Sequence, residues 1–410
     1  MPPEPLMLDL RPHLRPGDGV WWSQAGAEAT PLVDALLDQV GDLGPVRAFC
    51  GLTFNPRLRD LPPQLTLTSY GAMGELRAAS AAGRLEIVPA HYSVLPRLFA
   101  EGRLPGDVGL VQVAPPGPDG RCSLGIGVDY AGDAVRYSRT LIAEINHRMP
   151  AVAGADTVAL GDFAAVVETD RALPEAPDQG PNAVDRAIAA HVAGLVRDGD
   201  TVQIGVGALP SAILDGLAGH RDLGVHSGMV SDGVARLVEA GVVTGAHKEI
   251  DPGVVVAGAA LGSGGLYARL PEMPVRFRPA SYTHAPAVLA RLSRLVAINS
   301  ALEVDLTGQT GAEVARGRCL GGVGGQADFS GAAARTGACS IIALRSTAGG
   351  ASTVVPALRG PVTTARADVD VVVTEHGVAW LRACPLSERG TRLAAIAAPE
   401  HRDALLAALR

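Results

Sequence analysis

The chain has 410 residues, 47% of them hydrophobic and only 4% aromatic, with 50 glycines and 30 prolines dispersed along it. A formal net charge of −7 and a pI near 5.8 lack the basic excess that a phosphate backbone selects, which argues against a nucleic-acid partner. The length exceeds one ordinary core and predicts two globular α/β-sized units.

The N-terminal stretch MPPEPLMLDLRPHLRPGD lacks the basic start and apolar run of a signal peptide. No apolar stretch reaches spanning length without charge or many glycines, so the expectation is a soluble protein with no membrane partner. The five cysteines are odd in number and form no C-x-x-C pair, which fits a reducing cytoplasm better than a disulfide framework or a zinc ribbon. The histidines are scattered without H-x-x-x-H spacing, so no metal is expected. Lys248 is the only lysine, leaving Schiff-base chemistry one candidate, in the polar stretch AHKEID.

In chain order, the first signal is Arg15-Pro16-Gly17-Asp18-Gly19-Val20, a Gly-Asp turn feeding a short apolar run, small residues and an amphipathic stretch after Pro31. LEIVPAHY (85–92), GLVQVAP (109–115) and TVALGDFAAVVETD (157–170) then read as buried strands. RALPEAPDQGPN (171–182) is proline-rich and polar, and reads as a linker dividing domains 1–176 and 177–410. Past it, Arg197-Asp198-Gly199-Asp200-Thr201-Val202 repeats the R-x-G-D-x-V pattern, again ahead of an amphipathic stretch, here after Pro210. TVQIGVG, VVVAGAA, LVAINSALEVDL, SIIALRS and VDVVVTE read as further strands. Strands alternating with helical patterns predict open, mostly parallel sheets, whose ligands gather at the strand C-terminal ends.

Three segments are candidates for chemistry. Gln203, Ile204, Gly205, Val206 and Gly207 form a glycine turn opening a helix near Pro210, where backbone N–H groups can face an anion; a plain tight connection explains the same residues. Gly321, Gly322, Val323, Gly324, Gly325 and Gln326 place four glycines in five residues between two core-like segments, as an oxyanion or anion nest requires. In His226-Ser227-Gly228 the adjacent histidine and serine point to opposite sides of a strand, which disfavours a local Ser-His dyad. Glu303 and Glu375 are acids within apolar runs and need a partner or a function.

These blocks together resemble the acetyl-CoA hydrolase/transferase family, which includes the family I CoA-transferases. The N-terminal half contributes PRLFAEGRLPGDVGLVQVAPPGPDGRCSLGIGVDY. The C-terminal half contributes GVGALPSAIL, DLGVHSGMVSDGV, VAINSALEVDLTGQ, GVGGQADF and the run from VTTARADVDVVVTEHGVAWLR to Arg389, in family order. The resemblance implies two related open-sheet α/β domains of the CoA-transferase type with the active site in the inter-domain cleft. It also implies a homodimer or higher homo-oligomer, acyl-CoA and a small-molecule acceptor as partners, and no cofactor beyond coenzyme A. By the same resemblance Gln203 to Gly207, Gly322 to Gln326 and Asn299 line the CoA site.

Family members transfer CoA through a glutamate in a segment of type H-[ST]-E-M, which aligns with His226-Ser227-Gly228-Met229, so glycine stands at the nucleophile's position. Further departures are Ala27-Glu28-Ala29-Thr30 in place of a G-E-P segment, Arg345 in place of a proline and His376 in place of a tyrosine. Three readings follow. The first is direct acyl transfer from CoA to water, an amine or a hydroxyl, with His226 as possible base and Ser227 beside it. The others are CoA transfer through another carboxylate, and a non-catalytic acyl-CoA-binding subunit.

Overall fold

A computed structural model describes residues 8–176 and 180–410; within the linker read from sequence, residues 177–179 lie outside the described residues. The chain forms two compact units. One comprises Met1–Ala90, Val94–Glu175 and Gly258–Tyr282; the other comprises His91–Ser93, Ala176–Ala257 and Thr283–Arg410. The division is not a single cut: segment 258–282 and the three residues 91–93 each belong with the unit that the linear order would not give them.

The first unit is built on a seven-stranded sheet: β1 Gly19–Trp22, β2 Val46–Phe49, β3 Leu65–Ser69, β4 Leu85–Ile87, β5 Val108–Val113, β6 Thr140–Asn146 and β7 Ala165–Thr169. Its spatial order is β4-β3-β2-β1-β5-β6-β7, with every pairing parallel. Helix α1, Thr30–Leu43, carries Pro31 in its first turn and ends at Gly44, whose φ of 80° no β-carbon favours. Its Leu32, Val33, Leu36 and Val40 form a helical stripe that packs on Val20, Trp22, Val46 and Leu110 of the sheet.

The second unit is built on a six-stranded sheet: β8 Thr201–Ile204, β9 Gly224–Val225, β10 Leu295–Ser300, β11 Cys339–Ala343, β12 Val371–Thr374 and β13 Gly377–Trp380. The order is β9-β8-β10-β11-β12-β13, parallel except for the edge hairpin of β12 and β13. Helix α2, Ala183–Ala193, starts in a reciprocal capping box between Asn182 and Asp185. The Asp185 carboxylate also accepts two 2.8 Å bonds from Arg345, which hold its pKa below the ordinary range. Arg345 therefore ties the end of β11 to the start of α2.

The repeated R-x-G-D-x-V signal is one turn built twice. The backbone N–H of Arg15 donates to the Asp18 carboxylate at 2.6 Å, and that of Arg197 donates to the Asp200 carboxylate at 2.8 Å. Gly17 and Gly199 supply φ values of 87° and 76° in the two copies. In each sheet an arginine just ahead of another strand, Arg139 or Arg294, pairs with the same aspartate.

Each sheet reverses its winding beside its first strand, between β1 and β5 in one and between β8 and β10 in the other. In open parallel sheets such a reversal leaves a crevice at the strand C-terminal ends.

Candidate active site

At the reversal in the second unit, Gln203 at the end of β8 and Asn299 on β10 exchange amide hydrogen bonds of 3.1 and 3.3 Å. Asn299 also donates to Ser330 Oγ at 3.3 Å. Ser330 lies on helix α3, Gln326–Thr336, so two strands and the helix after the glycine-rich loop are locked together. Both predicted amides are thereby held in fixed orientations beneath the two loops.

Above them, Gly205, Val206 and Gly207 connect β8 to the helix Ala208–Gly216, and Gly207 has a φ of 118°. Among the described residues outside its chain neighbours, a β-carbon built on Gly205, Gly207 or Gly324 would meet no atom within 4 Å, which marks open space over the loops. Neither this helix nor α3 has a side-chain cap, so their first N–H groups are left to other acceptors. Gly322 and Val323 are half-buried beside Gly324, whose carbonyl accepts the Tyr92 N–H at 3.0 Å. Gln326 turns its amide to Thr364 Oγ1 at 3.1 Å.

His226, Ser227 and Gly228 follow β9. The Ser227 hydroxyl donates to the Ile204 carbonyl at 2.8 Å and is fully buried, which ties this segment to the end of β8. His226 is equally buried and its Nε2–H donates to the Thr283 carbonyl at 3.0 Å. Burial, then the neighbouring Lys248 charge, holds its pKa down to about 4. Lys248 donates to the Val225 and Val254 carbonyls at 3.0 and 2.6 Å, and burial lowers it to about 8. These three polar side chains fix backbone, and Gly228 is the half-buried member of the segment.

Sequence reasoning missed the group opposite Gly228. A β-carbon built there meets His284 Nε2 at 3.3 Å and Cε1 at 3.4 Å and, among the described residues outside its chain neighbours, no other atom within 4 Å. One built on Gly325 would fall 2.4 Å from the same Nε2. His284 is buried, with Nδ1 at 2.8 Å from Thr283 Oγ1 and its ring between Tyr92 and Phe329, at centroid distances of 4.7 and 4.8 Å. Burial, then the nearby His226, holds its pKa down to about 3, so the imidazole is neutral in ordinary buffers. The segment SYTHAPA carries no spacing that announces this, because His284 lies 56 positions beyond Gly228.

Other candidates lie in separate settings. Glu375 accepts the Ser346 N–H and hydroxyl at 2.9 and 2.6 Å; burial raises its pKa, but these bonds outweigh it and the net shift is downward. Glu303 pairs with Gly311 across a short antiparallel ladder.

Family models for the acetyl-CoA hydrolase/transferase N-terminal domain and C-terminal domain match residues 8–174 and 262–409. The chain belongs to the acetyl-CoA hydrolase/transferase family. It is 39% identical over 339 residues to 4-hydroxybutyrate coenzyme A transferase of Clostridium kluyveri, covering 81% of this chain and 79% of that one. Succinyl-CoA:acetate/propanoyl-CoA:succinate CoA transferase of Fasciola hepatica is 34% identical over 393 residues, covering 93% and 82%. The crystal structure of 4-hydroxybutyrate CoA-transferase from Porphyromonas gingivalis superimposes with a TM-score of 0.81 at 33% identity, covering 96% of this chain and 93% of that one. The protein is thus an enzyme of the CoA-transferase fold. Among the described residues, no helix is long and apolar enough to cross a membrane.

Proposed function

We propose that this family member transfers an acyl group from CoA directly to water, a hydroxyl or an amine, without forming a glutamyl-CoA intermediate. One observation carries the reading. The family resemblance puts its glutamate at the position of Gly228, and the space that the missing side chain leaves is faced, among the described residues, by an imidazole and by no carboxylate within 4 Å of an ideal β-carbon. Glycine cannot hold an acyl or CoA group, whereas open space beside a thioester carbonyl admits an acceptor.

The remaining geometry supports acyl-CoA as the donor. The Gly205–Gly207 and Gly322–Gln326 loops have open glycines and uncapped helix starts, which suit the phosphates and amide chain of CoA and a developing oxyanion. The thioester carbonyl would be polarised by backbone N–H groups of the second loop. The acceptor's oxygen or nitrogen would attack that carbonyl, and the C–S bond would break to release CoA.

The test is incubation with acetyl-CoA or butyryl-CoA and each acceptor class, reading free thiol and intact protein mass after borohydride or hydroxylamine. Direct transfer gives thiol release, an unchanged protein mass and no acetate-dependent CoA exchange. A mass change on a glutamate peptide would replace this reading with CoA transfer through another carboxylate. Tight CoA binding with no turnover for any acceptor would leave an acyl-CoA-binding subunit.

A further inference from the structure

Direct transfer requires a group that takes a proton from the acceptor, and the nearest histidine in sequence, His226, has its Nε2–H committed to a backbone carbonyl beneath the site. We infer that His284 is the catalytic base: its Nε2 accepts the acceptor's proton as the acceptor attacks the thioester carbonyl, then returns it to the CoA sulfur as the C–S bond breaks. This role rests on the direct-transfer reading.

The geometry assigns distinct tasks to two glycines on two loops. Gly325 makes room for the ring itself, since a β-carbon there would lie 2.4 Å from Nε2 and 2.6 Å from Cδ2 of His284. Gly228 makes room beside the ring, since a β-carbon there would stand 3.3 Å from Nε2 and 3.4 Å from Cε1. The same imidazole edge therefore adjoins both the nucleophile position of the family and the glycine-rich loop where the carbonyl oxygen would be polarised.

The ring is held for this task. Tyr92 and Phe329 flank it, and Thr283 Oγ1 lies 2.8 Å from Nδ1. With Nδ1–H donating to that hydroxyl, Nε2 carries the lone pair, the tautomer a base requires. His226 in turn donates to the Thr283 carbonyl at 3.0 Å, so it is a positioning residue that acts through Thr283.

Burial keeps the imidazole unprotonated before the reaction, so no proton must be lost first. A buried neutral base is weak in isolation. Its basicity rises as the tetrahedral oxyanion develops a few ångströms away, because the two opposite charges form together in a site of low dielectric. The electron and proton balance closes within the two substrates: one C–O or C–N bond forms, one C–S bond breaks, and the proton passes from acceptor to Nε2 to sulfur.

The test uses the full chain with acetyl-CoA and butyryl-CoA and water, hydroxyl and amine acceptors, following thiol release. His284→Asn, which keeps an amide near the Nδ1 position, is expected to lower kcat about 100-fold or more, the usual size of a general-base contribution. CoA affinity measured by calorimetry should stay within about threefold. His284→Ala leaves a cavity beside a half-buried glycine, and its activity should rise with added imidazole in proportion to the free base. Turnover by both variants within about threefold of the unsubstituted enzyme, with no imidazole effect, overturns the role of His284 while direct transfer stands. Absence of thiol release by the unsubstituted enzyme with every acceptor overturns direct transfer and this role with it.

Discussion

The two sheets reverse their winding in the same way, and the two crevices are filled in opposite ways. In the first unit, seven residues, 23–29, connect β1 to α1, and they are buried under their own polar network. Gln24 donates to Asp129 at 2.8 Å and accepts from Tyr70 and Leu52, while Gln112 donates to the Glu28 carbonyl at 2.8 Å. A β-carbon on Gly26 would strike Ile126 and the Tyr267 hydroxyl. In the second unit only residues 205–207 connect strand to helix, and a β-carbon on either glycine meets nothing within 4 Å among the described residues outside its chain neighbours. The lesson is that one topology supplies a crevice and the loop chemistry decides whether it is sealed or open.

The buried ionisable groups differ in the same sense. The first crevice holds two acids: burial raises Glu28 to about 7 and Asp129 to about 6. The second holds two histidines, which burial lowers to about 4 and about 3. A carboxyl with a raised folded-state pKa adds stability below its unfolded pKa and loses it as pH rises through the folded value. A histidine with a lowered one adds stability above its unfolded pKa and loses it as pH falls toward the folded value. The two crevices therefore respond to pH with opposite sign.

The largest expected effect breaks the open crevice. Gly325→Ala keeps an allowed backbone, since φ is −86° and ψ −4°, yet drives a methyl group into His284. It should cost about 1–3 kcal/mol by denaturant unfolding and displace the ring, with turnover falling at least as far as in His284→Asn. Gly228→Ala is its control: the new carbon would stand 3.3 Å from Nε2, a gap that a shift of the ring relieves, and stability should change by less than about 1 kcal/mol.

The sealed crevice is probed by Glu28→Gln, with unfolding measured at pH 4 to 8. The unsubstituted protein should lose stability relative to the variant as pH rises from about 4.5 to about 7, by roughly 3 kcal/mol in all. His284→Asn should show the reverse, the unsubstituted protein losing ground as pH falls below about 6.5. A shared sign in the two experiments would break the comparison.

Gly228→Glu asks whether the open crevice retains the family's chemistry. With the ring shifted to accommodate it, the new carboxylate should confer acetate-dependent CoA exchange detectable with labelled CoA; continued silence would mean that the surrounding pocket has changed as well. A last pair of variants tests what the units share. Asp18→Ala and Asp200→Ala should each cost about 1–2 kcal/mol, because both remove the acceptor of the same turn and one arginine pairing.

The sequence by itself determined the family, the open-sheet architecture and the duplicated R-x-G-D-x-V turn, because each rests on contiguous residues whose local physics is nearly independent of the rest of the chain. Its family resemblance also pointed to Gly228, Gln203, Asn299 and the two glycine loops as candidate site residues. Tertiary structure alone decided what each polar group does there. His226 and Ser227 are turned to carbonyls, Arg345 is absorbed by Asp185, and His284 crosses 56 positions of sequence to face Gly228. Hydrogen-bond commitment and the orientation of a buried ring are set by residues distant in the chain, so neither leaves a periodicity or spacing to read.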